Sequence, residues 1–278
     1  MSVRLDKAVS VVTGASRGIG EATAEALHRE GSAVGLVARS CDDLERVADR
    51  LRRAGGAPVL TAVADVADRA AVTESMARLE KDFGRIDVLV NNAGVGAYAS
   101  VFDEDPDAYE RLVRVNYLGT VHPTLAVLAG MAERHQGHIV NVASVAGLLG
   151  APFEAAYSAS KFAVVGFTES LTAEVAPLGI EVSLVNPGPV RTHFTEARGV
   201  PFQRAVPRPL DPTVVARAVV AAVRGRRFEQ VLPRWLRTGV AVRALAPGLY
   251  RKGLVRDSAS AAQVLVDRFR PPVDVDRA

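Results

Sequence analysis

The stretch AVSVVTGASRGIG, residues 8–20, decides the fold. Its first half is a short β-branched run; its second half sets glycines at 14, 18 and 20 and opens a segment of helical composition. A strand that enters a helix through a glycine-rich turn gathers backbone N–H groups at a helix N-terminus, where a pyrophosphate is stabilised. The spacing G-x-x-x-G-x-G also permits a turn that needs glycine only for its backbone angles. The rest of the chain weighs against that plainer reading. Apolar runs at 33–38, 58–64, 86–91, 138–144, 180–186 and 228–233 alternate with helix-forming segments at 18–30, 42–54, 68–83, 105–134, 155–177 and 211–224. Strands that are apolar throughout are covered on both faces, and β-α alternation predicts an α/β doubly wound parallel sheet with helices on both sides. Ligands of such sheets bind outside the carboxyl ends of the strands.

Length and composition set the bounds. At 278 residues and 49% hydrophobic, one large α/β domain is the expected organisation. No apolar run is long enough to span a bilayer, and the N-terminal stretch lacks the pattern of a signal peptide. The only cysteine is Cys41, so no disulfide forms within the chain, which fits a reducing cytoplasm. The five histidines show no metal-ligand spacing, and no metal is expected. A net charge of +3 makes no case for nucleic acid.

Each strand end carries candidate residues. The second ends in Ala38-Arg39, where an acid would hold a free ribose 2′-hydroxyl; an arginine there can fork onto a 2′-phosphate, with Arg17 as a second cation. The alternative is that Arg39 pairs with Asp42, Asp43 or Glu45. The third ends in Ala64-Asp65-Val66, where Asp65 can accept from an adenine amino group. Asn91 and Asn92, in NNAG (91–94), either tie neighbouring loops together or contact a cofactor. Asn116, inside the 105–134 helix, is either a satisfied buried amide or the anchor of a relay water. Ser144 ends the fifth strand, and AAYSASK (155–161) puts Tyr157 and Lys161 at i, i+4 on one helix face. A cation roughly 4 Å from a phenol, at an effective dielectric of about 20, favours the phenolate by about 4 kcal/mol, or about three pKa units before desolvation subtracts. Tyr157 then becomes a usable acid and base.

Taken together and in order, TGASRGIG, NNAG, Asn116, Ser144, Tyr157-x-x-x-Lys161 and NPGPVRT (186–192) resemble the short-chain dehydrogenase/reductase family, in its shorter single-domain branch. The resemblance covers about residues 5 to 232 and implies a Rossmann-type sheet of about seven parallel strands. It implies a catalytic set of Asn116, Ser144, Tyr157 and Lys161: Tyr157 as acid/base, Lys161 lowering its pKa and binding the nicotinamide ribose, Ser144 holding the substrate oxygen and Asn116 a relay water. It implies a pyrophosphate turn of Gly14, Ser16, Arg17, Gly18 and Ile19, a 2′-phosphate site at Arg39 and an adenine site at Asp65 and Val66. Asn92, Ala93 and Gly94 would stand beside the ribose, and Pro187, Gly188, Val190 and Thr192 on the nicotinamide side. NADP(H) is expected over NAD(H). The family's usual assembly is a homodimer or homotetramer through the helices at 105–134 and 155–177.

Two features depart from that pattern. A proline- and arginine-rich loop occupies the place of a substrate lid at about 190–212, and the chain continues past the catalytic domain (1–233) into a basic amphipathic extension, 234–278. The extension alternates arginine with apolar residues from Arg234 to Arg256, is punctuated by Pro247-Gly248 into two short pieces, and ends in an expected separate helix, 258–269, capped by Ser258 or Ser260. Peripheral membrane contact through 234–256 and packing on the protein's own body both stay open. The last residues, 271–278, read as loose. The presumed pocket, around Val95–Ala97, Leu148, Leu149 and Phe153, holds no fixed charge, which favours an apolar secondary alcohol or ketone as substrate. Two other readings stand beside this one: a 3-oxoacyl-thioester reductase, and a non-catalytic dinucleotide-binding sensor or scaffold.

Overall fold

The structure is a computed structural model and describes residues 3–194, 207–225 and 227–269. Seven strands, β1 (Val9–Thr13), β2 (Ala33–Ala38), β3 (Val59–Val63), β4 (Val88–Asn91), β5 (Gly137–Val142), β6 (Ile180–Pro187) and β7 (Glu229–Leu232), form one sheet in the order β3-β2-β1-β4-β5-β6-β7. Every neighbouring pair is parallel. The helices are α1 (Gly18–Arg29), α2 (Cys41–Ala54), α3 (Arg69–Phe83), α4 (Pro106–Leu112), α5 (Gly119–Glu133), α6 (Ala155–Val175), α7 (Pro212–Gly225), α8 (Arg237–Leu245) and α9 (Pro247–Arg268).

Successive strand residues point to opposite faces, so an apolar run feeds two cores at once. Val12, Val90 and Val140 enter the core that also holds Leu27 of α1, Leu44 of α2 and Val219 of α7. Val11, Leu89 and Ile139, one register step away, enter the other, with Met76 of α3, Met131 of α5 and Leu171 of α6. The helices match: in α2, Leu44, Val47, Ala48 and Leu51 are buried at i, i+3, i+4 and i+7. Short polar side chains start several of them: Ser40 accepts from the Asp43 N–H, Asp68 from Ala70 and Ala71, and Asp105 from Asp107, ahead of Pro106 at the first helical position. The strand order reverses between β1 and β4, which opens the crevice where such sheets bind ligands.

Two expectations change. The helix expected over 105–134 is three pieces: α4, a π-helical segment from Val113 to Leu118, and α5. The wider segment centres on buried Asn116, whose side chain reaches out of the helix to a loop. The separate helix expected at 258–269 does not exist. One helix runs unbroken from Pro247 to Arg268, and Ser258 donates to the Val255 carbonyl within it rather than capping an N-terminus. Pro247 sits at the first turn, where its missing N–H costs nothing, so the break falls before it at Ala246 and the second piece is long.

The chain divides into two compact units, Met1–Leu236 and Arg237–Ala278. Residues 195–206 of the expected lid and 271–278 of the expected loose end lie outside the described residues. The two ends of the lid are joined: Val190 and Leu210 form a parallel bridge, with Arg191 N–H to Leu210 O at 2.8 Å and Leu210 N–H to Pro189 O at 2.8 Å.

Candidate functional site

The glycine turn comes first. Gly14 has φ +65°, and a Cβ there would stand 2.8 Å from the Ala93 Cα. Gly18 has φ +60°, and its Cβ would stand 3.0 Å from the Thr192 Cγ2. Gly20 is packed so tightly that a Cβ would collide with the Gly14 carbonyl. Three expected binding segments, at 14–19, 92–94 and 187–192, thus meet at the carboxyl ends of β1, β4 and β6. One residue missed by sequence reasoning ties the first two: the Thr13 hydroxyl accepts from the N–H groups of Asn92 (3.0 Å) and Ala93 (3.1 Å). Asn92 Nδ2 donates to the Thr13 carbonyl at 3.1 Å, so its amide is spent on holding loops together. Asn91 is likewise structural, donating to Thr124 Oγ1 and Asn141 Oδ1, both at 2.9 Å.

A Gly14→Ala substitution is expected to lower stability by about 2–3 kcal/mol, combining positive-φ strain with a backbone clash. The control is Gly55→Ala, where φ is +74° but nothing lies within 4 Å of the new Cβ. Thermal unfolding of the two variants checks this, and equal melting temperatures would show that the Ala93 contact contributes nothing.

At the second and third strand ends, Arg39 Nη1 lies 3.9 Å from Asp65 Oδ2. Its partner is therefore the acid across the β2–β3 edge and not Asp42, Asp43 or Glu45. Both side chains are well exposed (65% and 42%), and a pair this long and wet contributes little. Asp65 Oδ1 accepts from the Ala67 N–H at 3.0 Å, and the Val66 carbonyl meets His122 Nδ1 at 3.0 Å. A second missed residue is Arg46 of α2, which donates to the Ser16 carbonyl at 3.0 Å and reaches Glu21 at 3.3 Å, bracing the glycine turn from outside.

The central cluster is built on α6 and the π-helical segment. Asn116 Oδ1 accepts from the Val95 N–H (2.8 Å), while its Nδ2 donates to the Val95 carbonyl (3.0 Å) and to Ser160 Oγ (2.9 Å). Ser160 Oγ donates to the Tyr157 carbonyl at 2.7 Å. Asn116 is thus a satisfied buried amide that clamps the 94–96 loop to α6. Ser160, between Tyr157 and Lys161, is the link that sequence reasoning passed over as filler. Ser144 accepts from the Ala146 N–H (3.1 Å) and donates to the Pro187 carbonyl (3.4 Å), which holds it at the mouth between β5 and β6.

Lys161 Nζ lies 6.0 Å from the centre of the Tyr157 ring and donates to the Val142 carbonyl at 3.2 Å. The lysine is buried, and burial pushes its pKa down to about 8. A Cβ on Gly94 would stand 3.1 Å from Asn116 Oδ1 and 3.5 Å from Lys161 Nζ, so the bare glycine lets this loop pack close against both. Phe194 packs against Tyr157, ring centres 5.6 Å apart. Among the described residues no cluster of His, Cys, Asp and Glu could hold a metal ion.

Comparison with known proteins agrees with this fold. The sequence model of the short chain dehydrogenase family matches residues 8–200. The chain belongs to that family of oxidoreductases. It is 34% identical over 263 residues to dehydrogenase/reductase SDR family member 7B of Bos taurus, covering 90% of this chain and 81% of that one. A short-chain dehydrogenase/reductase from Burkholderia phymatum, solved in complex with NAD, superposes with a TM-score of 0.81 at 31% identity, over 89% of this chain and 96% of that one. A short-chain dehydrogenase from Sphingobium yanoikuyae, solved with NADPH, does so with 0.77 at 30% identity, over 90% and 95%.

Proposed function

We propose that this chain is an NADP(H)-dependent oxidoreductase that interconverts an apolar secondary alcohol and its ketone, with Tyr157 giving and taking the proton. The observation that carries this is the buried Lys161 ammonium on the same helix face as Tyr157, close against the loop at Gly94. With a pKa of about 8 the ammonium keeps its proton at neutral pH, and in a buried site its field on the phenol is little screened. A nicotinamide dinucleotide held in the crevice would supply the hydride chemistry. The chain's own residues do the rest. The glycine turn would offer its N–H groups to the pyrophosphate, and Lys161 and Gly94 would border the ribose. Ser144 meets the substrate oxygen, Tyr157 exchanges the proton with it, and Asn116 with Ser160 fixes the helix that carries Tyr157. Cofactor-bound relatives of both kinds, with NAD and with NADPH, support a dinucleotide without selecting one. Arg39 favours the phosphorylated form: its pairing with Asp65 is long and exposed, so the guanidinium is free to turn onto a 2′-phosphate.

The test follows NADPH absorbance against aliphatic, aromatic, steroid-like and acyl-thioester carbonyls. Turnover of uncharged ketones supports the reading; tight NADPH binding without turnover of any of them overturns it. The Arg39→Ala variant is expected to raise KM for NADPH about tenfold or more and to leave KM for NADH unchanged, as loss of one charge-assisted contact requires. An equal effect on both cofactors would remove Arg39 from the 2′-phosphate site.

A further inference from the structure

The described part of the second unit is made chiefly of α8 and α9, and among the residues whose burial is described neither helix has a buried one. Helices stay folded in proteins mainly by burying an apolar face, so these two need a surface to lie on. The composition says which kind. From Arg237 to Arg268 there are six cations against two carboxylates, a net charge of +4. Along α9, Leu249, Lys252, Val255, Arg256, Ala259 and Val266 fall at near-helical offsets on one exposed face, together with one acid, Asp267; Leu249 is 64% exposed, Val255 69% and Val266 53%. Arg251, Lys252 and Arg256 make no ion pair with a described residue. Leu245, at the end of α8, is 87% exposed.

We infer that this unit docks on an anionic lipid surface, with the lysine and arginines at the headgroup phosphates and the leucines and valines pressed into the acyl boundary. A face that mixes aliphatic side chains with cations, on a unit whose cations outnumber its acids six to two, matches such a surface on both counts. A second copy of the chain matches it poorly, because a symmetric contact would set two like-charged faces against each other. Insertion across the bilayer is not the mode: no helix of the described residues is long and apolar enough to cross. Docking does not depend on the reaction, but it fits the proposed substrate class, since apolar ketones and alcohols concentrate in the same bilayer.

The experiment is flotation of the purified full chain with vesicles of phosphatidylcholine alone and of an equimolar mixture with phosphatidylglycerol, at low and high salt. The expected result is flotation with the mixed vesicles only, weakened by salt. Since each cation near such a surface contributes about a fivefold factor in partitioning, the R251Q/K252Q/R256Q variant should bind on the order of a hundredfold more weakly. Its melting temperature and NADPH affinity should stay unchanged, which separates loss of docking from loss of folding. Val255→Asp should weaken binding while keeping the cations. Binding equal on both vesicle types, binding to neither, or undiminished binding of the triple variant would each overturn the inference. So would a dimer in sedimentation that Val255→Asp dissolves.

Discussion

Tyr157→Phe is expected to lower turnover by about 10²- to 10⁴-fold, the range a positioned general acid or base contributes, while NADPH still binds with unchanged affinity. The ring stays, so packing against Phe194 and the folded state are preserved; only the exchangeable proton is lost. That combination separates an enzyme from a dinucleotide-binding sensor, which would lose nothing by the substitution. Steady-state kinetics with any ketone found in the carbonyl screen, together with NADPH fluorescence titration, measures both halves. A variant that keeps wild-type turnover would remove Tyr157 from the chemistry and with it the proposed mechanism.

Lys161→Met should be as damaging to turnover and should stabilise the protein in the absence of cofactor. The unfolded chain holds the lysine's proton up to about pH 10.5, whereas the folded protein releases it near pH 8. Below pH 8 the folded state therefore carries the whole cost of a buried ammonium. Between pH 8 and 10.5 unfolding takes up a proton, and stability rises with pH. A shift of this size corresponds to about 3 kcal/mol, an upper figure for what the methionine recovers at neutral pH. Urea unfolding of both proteins at neutral pH and near pH 10 checks the sign: the gap should be wide at the first and narrow at the second. An equal gap at both would mean that the ammonium is not the source.

How much of this was legible in the sequence depended on range. The seven strands were legible because a parallel strand covered on both sides is mostly apolar on both faces, as Val9, Val11 and Val12 of β1 and Ile139, Val140 and Val142 of β5 are. Tyr157 and Lys161 were legible because helical spacing alone puts them on one face. What escaped involved partners distant in the chain or generic in type. Arg39 meets Asp65 across two strands, where only acids close in sequence had been considered. Thr13 and Ser160 are ordinary small polar residues until the fold brings Ala93 and Asn116 to them; their places at the head of TGASRGIG and inside Tyr157-x-x-x-Lys161 were the signal available. The π-helical turn leaves no mark in the apolar period, and the long α9 was hidden by Gly253 and Ser258, which a helix tolerates. The depth at which Lys161 is buried, which sets its pKa, is a property of packing and has no local signature.

The Thr13 hydroxyl that receives both the Asn92 and Ala93 N–H groups bears on how a dinucleotide arrives. The two rims of the crevice are latched to each other before any visitor comes, so association requires little freezing of loose chain. The loss of conformational freedom has already occurred during folding, and a calorimeter should record capture of the nucleotide with a small entropic penalty. Thr13→Val, which removes the latch and keeps the shape, should move that penalty from folding to capture.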